Sequence, residues 1–189
     1  MSSNSSSGRY STDLLEVPGV AFDVEIADPT ERIQAYLDSY QASVPGSEAE
    51  GFDDKLMREH LQLISALSSN EKTTVSFLLR PGPNLLNRLG NVHGGAVALV
   101  YDMCTTMCTA PIARKGFWQF GGVSRSLAVT YLRPVKADME ILIECEVLQI
   151  GTRLATIRGQ MRDRLTGNLL SVAEHHKASI EFAEPKAKV

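Results

Sequence analysis

Spacing of hydrophobic residues at the N-terminal end of the chain indicates helices. Asp28-Pro29 is typical of a helix cap followed by proline at the first helical position, which predicts a helix over residues 28–40. A second helix is predicted from Asp53 or Asp54 to about Leu67, because apolar side chains recur there at intervals of three and four. The face that this spacing defines carries Leu56, His60, Leu63, Ile64 and Leu67.

Beyond Asn70 the pattern changes to that of an antiparallel sheet around one helix. Residues 73–80 are predicted as a strand ended by Pro81-Gly82-Pro83, and residues 96–113 as a buried central helix. Four long strands follow at about residues 122–133, 139–150, 154–164 and 169–182. In the second of these, apolar and acidic side chains alternate, as expected for a half-buried antiparallel strand. Because crossover units for parallel strands are absent from this pattern, the predicted fold class is α+β.

Composition narrows the class of protein. The chain has 189 residues, a formal net charge of −3 and three cysteines, which suits one domain and argues against a generic nucleic-acid binder. Cys104, Cys108 and Cys145 lie in apolar surroundings and are odd in number, so buried free thiols in a reducing compartment are expected. We expect an intracellular location, with the cytoplasm favoured over the mitochondrion. No metal site, no cofactor and no stable membrane insertion are predicted.

Four segments are expected along the chain. Residues 1–12 are Ser-rich and predicted to be disordered, and residues 13–70 form an N-terminal extension with two helices. Residues 71–183 form the main domain, and residues 184–189 form a tail.

The predicted central helix contains the strongest candidate for chemistry. Asp102 is the only formally charged side chain between Arg88 and Arg114, in a segment that otherwise has the composition of a buried helix. An unpaired buried carboxylate is unfavourable, and such positions are often functional. The alternative is a hydrogen-bonded acid that serves only a dimer interface.

A second candidate group stands where the same helix begins. His93-Gly94-Gly95 places an imidazole and two amides without side chains at a helix start, where N–H groups lack intrahelical partners and carry the positive end of the dipole. Such amides can stabilise a developing oxyanion. His93 and Asp102 are separated by about 13 Å along one helix at roughly 1.5 Å per residue, so they cannot act on the same bond within one chain. If both act, a second antiparallel copy of the helix must complete the site, which predicts a two-fold dimer.

Other candidate motifs give weaker hypotheses. The chain has no G-x-S-x-G elbow, P-loop or dinucleotide fingerprint. Glu174-His175-His176 resembles a metal motif, but on a strand the two histidines face opposite sides, so structural roles are expected. Phe117, Trp118 and Phe120 are interpreted as a hydrophobic plug at the helix end, with an acyl-pocket wall or a dimer contact as the alternative.

These residues also carry a family resemblance over about residues 73–183. The motif N-R-L-G-N-V-H-G-G-A-V-A-L-V-Y-D, the later G-G-V-S-R-S-L-A-V-T-Y-L-R-P and the V-L-Q-I-G-T-R segment resemble the hotdog-fold acyl-CoA thioesterases of the phenylacetate-pathway type. The resemblance implies an antiparallel sheet wrapped around the central helix and hydrolysis of acyl-CoA esters. A non-catalytic hotdog module that binds acyl-CoA or a lipid-like ligand is the alternative, and a hotdog dehydratase lacks its expected residues.

The resemblance also implies roles for individual residues. Asp102 would be the general base or the nucleophile, Gly94 the oxyanion donor, and Asn87 and His93 groups around the thioester. Ser124 would orient the water, while Ser126 stands where some relatives carry an aspartate. The partners implied are an acyl-CoA substrate and a second copy of the chain, as a homodimer or a dimer of dimers. Four basic residues are candidates for the phosphates of coenzyme A: Arg125, Arg133, Lys136 and Arg153.

Overall fold

A computed structural model describes residues 19–42, 51 and 53–180 of the chain. The predicted disordered segment 1–12, the Pro45-Gly46 break and the tail 184–189 lie outside the described residues. Three α-helices and six strands follow one another within the described part. In chain order they are α1 (Pro29–Ser39), α2 (Asp54–Glu59), β1 (Leu61–Ser68), β2 (Thr73–Leu79), α3 (Gly94–Met107), β3 (Val123–Tyr131), β4 (Ile141–Ile150), β5 (Leu154–Asp163) and β6 (Leu169–Ala178).

The six strands form one antiparallel sheet in the order β1-β2-β4-β5-β6-β3. Helix α3 lies across its inner face and contacts β2, β3, β4, β5 and β6. Gly159 on β5 makes this close packing possible, because a Cβ there would lie 2.7 Å from the ring of Tyr101 on α3. The predicted α+β hotdog architecture is confirmed.

The first predicted helix is confirmed as α1, with Asp28 accepting a hydrogen bond from the Glu31 amide (2.9 Å). Arg32 of α1 is buried, and its guanidinium donates to the carbonyls of Ala110 (2.7 Å) and Ala113 (2.8 Å). The N-terminal helix is thereby fastened to the turn that follows α3.

The second predicted helix is wrong beyond Glu59. Residues 61–68 form the edge strand β1, which pairs with β2. Its buried side chains are Leu61, Leu63 and Ala66, because the pairing register shifts between Leu63 and Ser65. This bulge interrupts the two-residue alternation and leaves an interval of three, which resembles helical spacing in the sequence. The sheet thus begins within the segment predicted as a helical extension.

Helix α3 is largely apolar, and Asp102 is its single charged side chain. Together with the short turn that follows it, the segment Gly94–Ile112 is long and apolar enough by composition to span a membrane, yet half of it is buried inside the protein. The free thiols of Cys104, Cys108 and Cys145 are buried, as predicted. Burial raises the pKa of the Cys108 thiol to about 12, so it stays protonated at neutral pH.

The aromatic segment after α3 closes one end of the core. Trp118 is buried, and its indole N–H donates to the Gly151 carbonyl (2.7 Å) under the β4–β5 turn. Phe117 is half-buried with the Arg114 guanidinium 4.0 Å above its ring, and Phe120 is also half-buried. The plug interpretation holds for Trp118. A pocket or dimer role for the two phenylalanines stays a prediction.

Candidate active site

The first turn of α3 presents a backbone amide to an open cleft. Gly94 is the first helical residue, and the hydrogen bonds of the described residues include none from its N–H. It lines a cleft of about 340 Å³ together with Asn87, Val97, Tyr131 and Arg133. A helix-start amide facing a cleft is a suitable donor to a carbonyl oxygen that gains negative charge.

Asn87 and His93 are held by local hydrogen bonds beside this amide. The Asn87 Oδ1 accepts from the amides of Leu89 (2.9 Å) and Asn91 (3.2 Å), which leaves the Nδ2 group as its remaining donor. The His93 Nδ1 accepts from the Gly95 amide (3.0 Å) and caps α3. In the neutral ring the proton is therefore on Nε2, which is available to donate.

Asp102 lies two turns further along α3, in a different group of side chains. Its Oδ1 accepts a hydrogen bond from the Ser124 hydroxyl (2.6 Å) and lies 3.3 Å from the Nε2 of His175. Described residues donate no hydrogen bond to Oδ2. The carboxylate is thus fixed through one oxygen and free at the other. The Asp102 side chain is 36% exposed in the single chain, so its free oxygen is accessible.

The imidazole of His175 connects α3 with β3 and β6. Its Nε2 lies 2.9 Å from Ser124 Oγ, and its Nδ1 lies 2.6 Å from Thr105 Oγ1. With the proton on Nε2, His175 donates to Ser124 and Ser124 donates to Asp102. The single Thr105 hydroxyl proton is then shared between two acceptors at 2.6 Å, His175 Nδ1 and the Tyr101 carbonyl. The other tautomer would direct a lone pair at the Asp102 carboxylate, so we assign the Nε2–H form from the network.

A buried ammonium completes the surroundings of Asp102. Lys177 is 2% exposed and donates to Thr106 Oγ1 (2.8 Å). Burial lowers the pKa of Lys177 to about 8, although Asp102 opposes this shift. Burial, reinforced by the Lys177 charge, lowers the pKa of His175 to about 4, again against Asp102. At neutral pH the group therefore holds a neutral imidazole and a charged lysine.

The predicted site residues therefore fall into two separate groups. Gly94 and Asn87 share the cleft, His93 caps the helix beside it, and Asp102 with Ser124 forms the second group. At about 1.5 Å per residue, Gly94 and Asp102 are roughly 12 Å apart along α3. One chain does not bring the two groups to a common point, as the sequence spacing predicted.

Of the four candidate phosphate ligands, only Arg133 lines the Gly94 cleft, where it also donates to the Leu169 carbonyl (2.7 Å). Lys136 lines a different cleft of about 560 Å³, beside Asp138 and Glu140. Arg125 is exposed on β3, and Arg153 is exposed at the β4–β5 turn.

Sequence analysis missed two members of the Asp102 group. His175 and Lys177 were not associated with Asp102, although β6 buries both on the same face as Ala173. Two titratable side chains at inward positions of a strand were the available signal. The predicted separation of His175 from His176 is confirmed, since the half-buried His176 lies 3.0 Å from the Glu174 carboxylate.

The fold and the two groups define a hotdog protein with an acid on its central helix and a free amide at the helix start. Residues 89–168 match the family model described as Thioesterase superfamily. The mouse protein named acyl-coenzyme A thioesterase 13 is 33% identical over 91 residues, which cover 48% of this chain and 62% of that protein. The chain thus aligns with less than two thirds of the length of this curated relative.

Two solved structures are similar to this chain over a longer stretch. Zebrafish thioesterase superfamily member 2 is 26% identical with a TM-score of 0.65, covering 79% of this chain and 96% of that one. Mouse thioesterase superfamily member 2 is 25% identical with a TM-score of 0.64, covering 81% and 98%. The chain is therefore similar to thioesterase superfamily proteins over residues 89–168, and most of its length shares the fold of the solved thioesterase superfamily structures.

Proposed function

We propose that the protein hydrolyses acyl-CoA thioesters at sites shared between two copies of the chain. The observation that carries the proposal is the Asp102 carboxylate, hydrogen-bonded at one oxygen and free at the other, on the same helix as the unpaired Gly94 amide. The relatives named acyl-coenzyme A thioesterase support the substrate class.

In the proposed reaction, the Gly94 N–H donates to the thioester oxygen, and Asp102 removes a proton from water. The water oxygen forms a bond to the carbonyl carbon, the C–S bond breaks, and coenzyme A leaves as a thiolate that takes up the proton. Asp102 could instead attack the carbonyl carbon directly and form an anhydride that water then hydrolyses. Ser124 and His175 fix the carboxylate in either route.

Edge strand β3 supports a two-fold arrangement. It is paired only with β6 among the described strands, and Val123, Tyr131 and the adjoining Leu132 are 41%, 54% and 48% exposed. An open strand edge with exposed apolar side chains favours pairing with another copy.

The contacts that β3 makes with α3 are consistent with a two-fold axis between two copies of the chain. Ser124 at its start contacts Asp102, and the Tyr131 hydroxyl at its end donates to the Gly94 carbonyl (2.8 Å). Antiparallel pairing of two β3 strands about residues 127 and 128 would set Ser124 opposite Tyr131 of a second copy. The same axis would pass close to Ala98 of α3, which is midway between Gly94 and Asp102 in the sequence. In such a dimer, both relations would bring the Gly94 group of one copy to the Asp102 group of the other.

A thiol-release assay with short, medium, long and aromatic acyl-CoAs tests the proposed activity. Asp102→Asn should lower kcat by at least ~100-fold, the scale for loss of a general base, with an unchanged circular dichroism spectrum. Asp138→Asn is the matched control, because Asp138 is exposed and lines the other cleft. Turnover of Asp102→Asn within a few-fold of wild type would contradict the role of Asp102.

Absence of thiol release by the wild type, together with acyl-CoA binding in calorimetry, would favour the non-catalytic binding module instead. An intracellular location and the absence of nucleic-acid partners are parts of the same proposal. Fractionation of cells that express the tagged protein tests the location.

A further inference from the structure

Lys177 is a buried cation that the proposed reaction does not use. It lies on the inner face of β6, opposite Ser124 of β3 and Ala155 of β5 in the sheet register. At 2% exposure, its ammonium is removed from water, and the acceptor that the structure provides is the neutral Thr106 hydroxyl. A buried ammonium is unfavourable unless a nearby negative charge compensates it.

Thr106 relates this cation to the candidate acid. Its hydroxyl donates to the Asp102 carbonyl (2.6 Å) and accepts from Lys177 Nζ (2.8 Å). Asp102 is the negative charge that acts on the buried ammonium. His175 lies two residues before Lys177, on the same face of β6. A buried cation is therefore connected to the backbone of Asp102 through one hydroxyl group.

We infer that Lys177 is the positive charge paired with Asp102 across Thr106 and opposes protonation of the buried His175, so that it acts as a positioning residue for the acid group. A protonated His175 would hold Asp102 as a direct ion pair. A neutral His175 instead donates one hydrogen bond to Ser124 and leaves the carboxylate without a direct ion pair to the imidazole. For its kinetic consequences this inference rests on the proposed hydrolysis, while its electrostatic part is measurable without substrate.

The groups that face Lys177 are few. Asp102 is on α3, and His175 is on the strand of Lys177 itself. Tyr36 of α1 also interacts with Asp102, but burial raises its pKa to about 12 and keeps the phenol neutral. His176 is on the outer face of β6 and exerts a weaker like-charge effect on His175. Of the groups named here, Lys177 is the one that carries a positive charge at neutral pH.

An NMR titration of the histidine ring carbons tests the electrostatic part. The chain has four histidines, so His175→Gln assigns the His175 signal by its loss. In Lys177→Met the titration midpoint of His175 should rise by about one unit or more, because the like charge two residues away on the same face of β6 is removed. Lys177→Arg should keep the midpoint near the wild-type value. Lys72→Met, at an exposed lysine on the outer face of the sheet, is the surface control.

The same coupling can be measured from the other partner without altering Lys177. In Asp102→Asn the midpoints of both Lys177 and His175 should fall, since the carboxylate raises both pKa values in the wild type. This variant keeps the test valid if Lys177→Met does not fold. An unchanged His175 midpoint in a folded Lys177→Met protein, or unchanged midpoints in Asp102→Asn, would overturn the inference.

Kinetics distinguish this inference from the proposed function. The acid limb of the kcat/KM profile should move to higher pH in Lys177→Met by about the NMR shift, while Lys177→Arg restores the wild-type profile. If the titration midpoint of His175 shifts in Lys177→Met but the wild type has no thioesterase activity, the inferred charge pair is supported and the proposed hydrolysis is rejected. Thioesterase activity with an unmoved acid limb in Lys177→Met would reject the positioning role.

Discussion

Subunit mixing tests whether a working site needs two chains. Asp102→Asn removes the acid, and Gly94→Pro removes the amide donor at the helix start. Proline is well tolerated as the first residue of a helix. The extended His93 backbone (φ −63°, ψ 139°) suits the residue before proline, and a Cβ at Gly94 would meet Tyr131 no closer than 3.5 Å. Each variant alone should therefore fold and be inactive.

The activity expected after mixing follows from the assignment of Gly94 and Asp102 to different chains of each site. A mixed dimer would contain one site with an intact Gly94 and the partner's intact Asp102, and one site with both lesions. Random exchange at equal amounts makes about half of the dimers mixed, so about a quarter of wild-type activity should return. Sites contained within one chain would return none, because every chain in the mixture carries one of the two lesions.

A second mixture serves as the control. Wild type mixed with the double variant should retain about a quarter of full activity if sites are shared, because mixed dimers have no intact site, and about half if they are not. Co-expression with two affinity tags isolates the mixed dimer, and its composition is checked by native mass spectrometry. No gain of activity in an isolated mixed dimer, or an active monomer in sedimentation, would refute the shared site.

Three further outcomes are expected. Ser124→Ala should lower kcat by about 10- to 100-fold, the scale for a hydrogen bond to a charged group, whereas Ser126→Ala on the same strand should match wild type in the thiol-release assay. Arg133→Ala should raise KM for acyl-CoA by about 2- to 10-fold with little change in kcat; an equal effect on acyl-pantetheine would argue against a phosphate contact. The unfolded state binds more protons than the folded state between the ordinary His pKa of 6.5 and the folded value of about 4, so denaturant titrations should show stability falling on acidification through this window by up to about 3 kcal/mol. His175→Gln should flatten that fall, and an unchanged pH dependence would contradict the buried neutral imidazole.

Local sequence patterns were sufficient to predict most of the helices and strands. Strand β4 alternates buried Ile141, Ile143 and Cys145 with half-buried residues, of which Glu144 and Glu146 are acidic, and this two-residue period is intrinsic to a strand with one face in water. Asp28-Pro29 fixed the start of α1 because a cap and a proline act on the adjacent backbone. The isolated position of Asp102 in an apolar segment was equally visible, and its distance from Gly94 followed from helical rise.

Tertiary structure alone decided which side chains surround Asp102. His175 and Lys177 are more than 70 residues further along the chain, and only the pairing of β6 with β3 and the packing of α3 bring them together. The strand β1 was likewise hidden, because a bulge is set by pairing with β2 and not by local spacing. Periodicity records which face of an element is buried, whereas the identity of the neighbours across the core depends on sheet order and register, which arise from contacts distant in sequence.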